Sequence, residues 1–562
     1  MRARLLKARG IAAQRGLVRA HLANARAFAT GAGGAGTKGR TGDGLGRDGG
    51  GGTAAILAAH GPQAHWKCTR GVCGFPSEKT TRPSMTVREK FEAYVRRIER
   101  RTRPVDPRTR AALTERWAAL PPAARTPAQT LGRHAVGCEG THGVFPKCNL
   151  TCSPCYHSAD ANKVRIDGEH TLREVAAQFE LLAERRGPRA HAQLIGGEVS
   201  LLDSDDHAAA LAIMREHGRE PMSFTHGDFD YDYLQAVVLD GDGQTRFSRV
   251  SFAAHFDKLM RGRSGIPRPR TEAELTPYRR RFAEMFTRLK SEHGVASYLA
   301  HNMTVTPHNI DEVAAVTGEV VGMGGYSMVS FQPAAFVGDE RRWSGDYREI
   351  DIDIVWEQIE LGMGQAISYQ SIQFGDPRCN RTALGFMVGS TWHPFLDVTR
   401  PAEERARDEF FTHLGGVNFG GSDPLTLILK LLRVLAGHPL GIVVAGRWFA
   451  SVLRRCGPRN AVLAFVRRDL RPMNFVVHRF MDAENVAPAW KLMQSGQVAA
   501  DPVLLETQER LAACTYSMAH PETGELVPAC VQHSVLDPGE NQELRKLLPL
   551  LVTKPETTGC CS

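Results

Sequence analysis

The sequence predicts an α/β protein built on a partial (βα)6 barrel of the TIM type, with a C-terminal extension of mixed α+β and helical character. Three observations carry that expectation. Between about residue 140 and residue 335, short apolar runs alternate with amphipathic helical patterns, the signature of parallel βα units. Six such units can be counted, too few for a closed eight-unit barrel. Both polar motifs of the stretch directly follow an apolar run, where the ligand-binding loops of parallel folds lie.

Taken in order, residues 142–146 read as the first strand, leading straight into a cysteine-bearing loop. Thr171 then opens a helix, with Glu174 three places on as a capping box and Leu172, Val175, Phe179 and Leu182 on one face. Gly187-Pro188 stops it. A second strand, 192–195, ends in Gly196-Gly197-Glu198, after which Asp203 or Ser204 caps a helix closing at Gly218. The remaining strands read as 222–225, 250–254, 298–303 and 328–332. Helices between the last three are marked by Tyr278, Phe282, Met285 and Leu289, and by Val313, Val316 and Val320.

Around this core (138–340) lie four further segments. Residues 1–42 contain no Asp or Glu but carry Arg and Lys among Ala and Leu, so 1–30 reads as an organelle (mitochondrial matrix) presequence, with a cytoplasmic location as the alternative. Residues 31–62 form a Gly-rich linker, 63–137 an N-terminal helical extension and 341–562 the C-terminal extension. No run of 18 uncharged apolar residues predicts a membrane span. The composition, 42% hydrophobic and 23% charged, is that of a globular protein. Part of the net charge of +9 sits in the first forty residues. That distribution, with no Gly-aromatic RNA signature and no basic strip alternating with aromatics, argues against a nucleic-acid partner.

The cysteines carry most of the chemistry. Cys148, Cys152 and Cys155 stand at a C-x3-C-x2-C spacing, which chance would produce about 0.005 times in a chain with twelve cysteines among 562 residues. Three soft ligands on one loop point to metal. Structural zinc takes four protein ligands, whereas three thiolates can hold three irons of a [4Fe-4S] cluster and leave the fourth open. Downstream, Gly196 and Gly197 permit close backbone approach, and Glu198 offers a carboxylate to an ammonium group.

A cysteine triplet after strand one, Gly-Gly-Glu at the end of strand two and six βα repeats resemble the radical S-adenosylmethionine (radical SAM) superfamily, over about 200 of the 562 residues. The resemblance implies that Cys148, Cys152 and Cys155 hold a [4Fe-4S] cluster whose open iron is chelated by S-adenosylmethionine. It further implies reductive cleavage of that cofactor, with the resulting 5′-deoxyadenosyl radical taking hydrogen from an unactivated carbon. A ferredoxin or flavodoxin would supply the electron. The family's aromatic residue before the third cysteine is here Pro154, and Tyr156 is the candidate substitute. Ser251 or His255 at the fourth strand end, Asn302 at the fifth and Gln332 at the sixth are polar groups placed for cofactor or substrate.

Beyond the core, Cys379 precedes a hairpin read at 385–388 and 392–396, and Cys514 and Cys530 bracket the turn 521–524. These three loosely resemble the auxiliary-cluster extensions of radical SAM enzymes and are candidate ligands of a second [4Fe-4S] cluster, with His520 or Cys456 as a fourth. Buried structural thiols are the alternative. Cys68 and Cys73, and Cys138, are weaker candidates. Residues 425–435 and 441–455 mix aliphatics with basic side chains, which suits peripheral contact with an anionic membrane, a pocket for an apolar substrate, or a packed helical subdomain. The leading expectation is a radical SAM enzyme acting on a lipid or other hydrocarbon. The alternatives are a peptide- or RNA-modifying radical SAM enzyme and a non-catalytic iron-sulfur protein.

Overall fold

Parallel strands organise the computed structural model, which describes residues 105–550 apart from 188–190, 349, 418–423 and 468. Residues 1–30, read as a presequence, residues 31–62, read as a linker, and Cys68 and Cys73 lie outside the described residues. Ten strands form the main sheet: β1 (Cys138–Gly140), β2 (His191–Leu194), β3 (Glu220–Thr225), β4 (Arg249–His255), β5 (Ala296–Val305), β6 (Met328–Pro333), β7 (Asn380–Ala383), β8 (Asn474–His478), β9 (Tyr516–His520) and β10 (Glu525–Pro528). Their spatial order is β10-β9-β1-β2-β3-β4-β5-β6-β8-β7.

Helices α1 (Gly168–Arg186), α2 (Ser204–Glu216), α3 (Tyr231–Val238), α4 (Thr276–His293), α5 (Val313–Met323) and α6 (Ile352–Met363) follow β1 to β6 in turn, completing six βα units. Their apolar faces meet the sheet in one core that includes Phe179, Leu211, Leu234, Phe282, Val320 and Ile359. The fold is thus the expected partial barrel with an extension. The extension does more than append to it. Both β8 and β9 run parallel to their neighbours β6 and β1, so the parallel run reaches eight strands before antiparallel β7 and β10 end it. The curl brings Asn380 of β7 within hydrogen-bonding distance of Thr515 beside β9 (3.2 Å).

Two local expectations are corrected. The first strand is 138–140, not 142–146: Glu139 is buried there against Arg219 (2.9 Å) and Arg186 (3.7 Å), and a strand centred on a carboxylate does not read as an apolar run. Residues 142–146 instead turn, with Gly143 at φ +67°, and bury Val144 and Phe145 from the loop. Helix α1 starts earlier than Thr171, since Asp167 caps it by accepting from the His170 amide (2.9 Å). Thr171 Oγ1 donates to the carbonyls of Asp167 and Val144 (both 2.8 Å), which ties the helix to the turn before the cysteines. Helix α3 had no strong sequence signal. Asp203 does cap α2, and the hairpin forms as Gly385–Val388 with Thr391–Pro394.

Candidate functional site

All three cysteines of the triplet open on one cavity of about 110 Å³ at the C-terminal ends of the strands. Gly196, Gly197, Glu198, Tyr156, His226, His255, Thr304, Gln332 and Arg342 share its wall. The loop is fixed from several sides. Thr151–Cys152 pairs antiparallel with Met260–Arg261, beyond β4. The Cys148 amide donates to Asn162 Oδ1 (3.0 Å), and Ser153 Oγ lies 3.1 Å from the Tyr347 hydroxyl.

The Gly-Gly-Glu motif acts first on that loop. The Gly197 amide donates to the Phe145 carbonyl (2.7 Å) and the Glu198 amide to the Lys147 carbonyl (2.9 Å). A Cβ on Gly197 would stand 2.1 Å from the Lys147 oxygen, and one on Gly196 would stand 2.6 Å from the Phe145 ring. The close approach these glycines permit is therefore to the backbone leading into Cys148. The buried Glu198 carboxylate binds β3 to this clamp. Its Oε1 accepts from Ser200 (amide 3.0 Å, hydroxyl 2.6 Å) and from Thr225 Oγ1 (2.6 Å). Oε2 accepts from the His226 amide (2.7 Å), with the His226 Nε2 3.4 Å away, and its second lone pair makes no further hydrogen bond within the protein.

Electrostatics differ among the thiols. Burial, and next the Glu198 carboxylate, push the Cys148 thiol up to about 12. Cys155 is drawn well down by the hydrogen bond from Cys152 and by the Arg342 guanidinium, against the opposing effect of burial. Cys152, the donor of that bond, is pushed up. Cys152 and Cys155 thus share a proton between them, and a cation is needed to hold all three thiols ionised.

Two histidines line the cavity as neutral groups or as members of pairs. His226 Nδ1 accepts from the Asp228 amide (3.0 Å), so its Nε2 donates to Asn149 Oδ1 (2.7 Å); burial lowers its pKa. His255 Nε2 lies 2.6 Å from Asp257 Oδ2 and 3.1 Å from Thr304 Oγ1. Of the two residues considered on β4, His255 is the one at the mouth. Ser251 sits four residues earlier, about 13 Å toward the N-terminal strand ends, paired with Tyr298, and lines neither this cavity nor the next.

A second cavity, about 280 Å³, fills the barrel lumen beneath the first. Asn302 lines it rather than the cysteine cavity, whereas Tyr156, Phe224, His255, Gln332 and Phe480 line both and so form the boundary. No Asp, Glu, Lys or Arg contributes to the lumen wall among the described residues. Tyr156 is clamped between His533 (centroids 4.8 Å) and Phe480 (6.2 Å), and burial, then Cys155, raise its hydroxyl pKa.

Sequence reasoning missed the layer behind Tyr156. His533 Nδ1 lies 2.7 Å from Asp537 Oδ2, and His157 Nδ1 lies 4.0 Å from the same oxygen. Burial raises the Asp537 carboxyl, but His533, His157 and Gln532 together hold it down to about 2. Only His157 carried a sequence signal, two places after Cys155.

Cys379, Cys514 and Cys530 lie close enough to act electrostatically on one another, and Arg510 acts on Cys379 and Cys530. Arg510 Nε donates to Cys379 Sγ (3.2 Å), and burial followed by Cys514 and Cys379 raises Cys530. Cys514 Sγ donates to the Tyr516 carbonyl (3.2 Å). The two proposed fourth ligands are placed elsewhere. Cys456 packs with Val388, Val452 and Ala464, and His520 spends both ring nitrogens on Glu522 (2.9 Å) and Gln532 (2.6 Å). Cys138 opens β1 and faces the lumen.

No family model matches the chain, and no curated protein matches it. Among solved structures it is similar to Streptococcus suis SuiB, at 12% identity and TM-score 0.27, over 40% of this chain and 45% of that one. It is also similar to anSMEcpe with bound AdoMet, at 13% identity and TM-score 0.27, over 41% of this chain and 63% of that one. The form with AdoMet and the Cp18Cys peptide gives 11% identity and TM-score 0.29 over 55% and 99%. The chain spans less than two thirds of the length of the first four such structures. Superpositions this loose carry no argument about chemistry, which rests on the residues of the chain itself.

Proposed function

We propose that the chain is a radical SAM enzyme that cleaves S-adenosylmethionine reductively and removes hydrogen from an unactivated carbon of an uncharged, apolar substrate, a lipid or other hydrocarbon. The observation that carries the reading is the convergence of Cys148, Cys152, Cys155 and Glu198 on one cavity at the C-terminal ends of parallel strands. The donor set fits an iron-sulfur cluster with one open iron, since no fourth cysteine lines that cavity among the described residues. When bound, such a cluster supplies a Lewis-acidic iron and a transferable electron.

The protein's own part is positioning. The Gly197 and Glu198 amides fix the loop carrying the thiols, and Glu198 Oε2 retains an acceptor site for the ammonium group of the cofactor's methionyl end. Gln332, at the boundary of the two cavities, offers neutral hydrogen bonds to a ribose. Tyr156 and Phe480 wall the boundary with aromatic surface that excludes water from a reactive carbon radical. The lumen below, lined by histidines but by no Asp, Glu, Lys or Arg among the described residues, suits an aliphatic chain better than a strongly charged one. A ferredoxin or flavodoxin is the donor class that suits a low-potential cluster.

Cys379, Cys514 and Cys530 are assigned as candidate ligands of a second cluster, with Arg510 beside Cys379. Anaerobic reconstitution with iron and sulfide, followed by EPR with and without S-adenosylmethionine, tests the main reading. The expected result is a cofactor-dependent change in the reduced-cluster signal and release of 5′-deoxyadenosine. A signal that ignores the cofactor contradicts it. Comparative lipid and peptide profiling of a deletion strain then separates the substrate classes, and loss of a modified peptide with an intact lipid profile overturns the hydrocarbon assignment.

A further inference from the structure

Three consecutive helices, Pro424–Ala436, Pro439–Cys456 and Pro458–Arg467, expose most of the molecule's misplaced apolar surface. Twelve of the 21 large hydrophobic side chains exposed among the described residues fall within these 44 residues. In the first helix Leu425, Ile428, Leu429 and Leu432 occupy the i, i+3, i+4, i+7 stripe that a globular helix turns toward its core, yet here the stripe faces solvent, with Leu425 at 66%. Val434, off that stripe, is the residue buried against the body. The third helix repeats the pattern, with Phe465 at 73% exposure.

The charge on this face is of one sign. From residue 424 to 468 there are eight Lys or Arg and no Asp or Glu. Arg433, Arg447, Arg454, Arg459 and Arg467 are exposed around the apolar side chains. The inner side of the long helix is anchored to the body: Trp448 Nε1 donates to the Phe395 carbonyl (2.9 Å), Ser451 Oγ to Glu403 Oε1 (2.7 Å) and Arg455 to Glu403 Oε2 (3.0 Å). The outward face is therefore presented by a fixed scaffold.

We propose that this face docks the protein on the surface of an anionic lipid bilayer. Large apolar side chains exposed in such numbers over one short stretch of chain mark an interaction surface. Apolar side chains ringed by Arg and Lys, with no carboxylate among them, fit the acyl-headgroup boundary of a negatively charged leaflet. A second copy of the same face is a poor occupant, because a two-fold contact would set five exposed Arg side chains against five. The helices lie on the bilayer rather than cross it. The first has 13 residues, about 20 Å against a hydrocarbon core of about 30 Å. Among the described residues no single helix is long and apolar enough to cross a membrane; the first two reach that length and apolarity only together, and they are bent by 119° at their junction.

The insert leaves and rejoins the barrel at the N-terminal ends of its strands. Leu470–Pro472 leads into Asn474, which opens β8 and pairs with Met328, the first residue of β6. The proposal rests on no part of the radical chemistry and stands or falls separately.

Vesicle flotation of the full chain tests it, using phosphatidylcholine vesicles with and without phosphatidylglycerol. The protein should float with the anionic vesicles and be released by salt. Replacing Arg433 or Arg447 by Ala should each lower the partition about fivefold. The double substitution Ile428→Asp, Leu432→Asp should abolish flotation, whereas Val498→Asp, at an exposed apolar position outside the insert, should leave it unchanged. Circular dichroism confirms that the variants fold, and the two Arg variants keep the test decisive if the double variant does not. Failure to float overturns the proposal, as does flotation indifferent to these substitutions. A wild-type dimer by light scattering that Ile428→Asp dissociates, without vesicle binding, assigns the face to a second copy instead.

Discussion

Two sets of three cysteines in this molecule share a residue type and little else. Cys148, Cys152 and Cys155 come from one loop, are half-buried, and open together on a cavity whose wall includes Glu198 and Arg342. Cys379, Cys514 and Cys530 come from distant segments; Cys379 and Cys530 are buried, while Cys379 and Cys514 hydrogen bond Arg510 and the Tyr516 carbonyl. In the first set Cys152 and Cys155 share a hydrogen bond beside the Arg342 guanidinium, whereas in the second burial raises all three thiols. The difference teaches that a metal loop is recognised by the room and charge around its sulfurs, which spacing alone only partly reports.

Substitution is the direct way to break the comparison. The largest effect is expected from Cys152→Ala, which removes one of the three soft donors: S-adenosylmethionine cleavage, followed as 5′-deoxyadenosine, should fall to background. The corresponding Cys379→Ala should retain measurable cleavage. Next is Gly197→Ala, whose methyl group would meet the Lys147 carbonyl at 2.1 Å. Displacing the loop should lower iron retention by about 10- to 100-fold, the range for losing an outer-shell support, measured by competition with a chelator. Iron analysis sharpens the comparison further. About eight irons per reconstituted chain, falling to about four in Cys514→Ala, would make the second set a cluster site; about four in both would make it structural.

The smallest effect concerns Asp537, behind Tyr156 and His157. Its carboxyl is held at about 2 against an ordinary value of 3.8, so the stabilisation is present above about pH 4 and lost as the pH falls toward 2. Asp537→Asn should cost about 2 kcal/mol at neutral pH, read by urea unfolding, and should flatten the acid side of the stability profile.

How much of this was legible follows from what each part depends on. Strands β2 to β6 and helices α1, α2, α4 and α5 were visible because each buries a continuous apolar run or stripe. The first strand was displaced because its central residue is the ion-paired Glu139. Strands β8 and β9 were invisible as members of the barrel, since parallel pairing with β6 and β1 joins segments far apart in the chain. The triplet and Gly-Gly-Glu were legible because their local spacing is the signal. That the glycines serve the Lys147 backbone was not, nor was the partnership of His157 with His533 and Asp537, which only the folded chain brings together. Ser251 illustrates the limit of strand-end reasoning: a shift of four residues along β4 separates the mouth from the lower barrel.

The central claim is that Cys148, Cys152 and Cys155 form a cluster site that engages S-adenosylmethionine. EPR of the anaerobically reconstituted, reduced protein, recorded before and after adding that cofactor, tests it most directly. A shifted signal in the wild type, absent in Cys152→Ala, is the predicted result. An identical spectrum with and without the cofactor in a protein shown to hold iron would contradict the account.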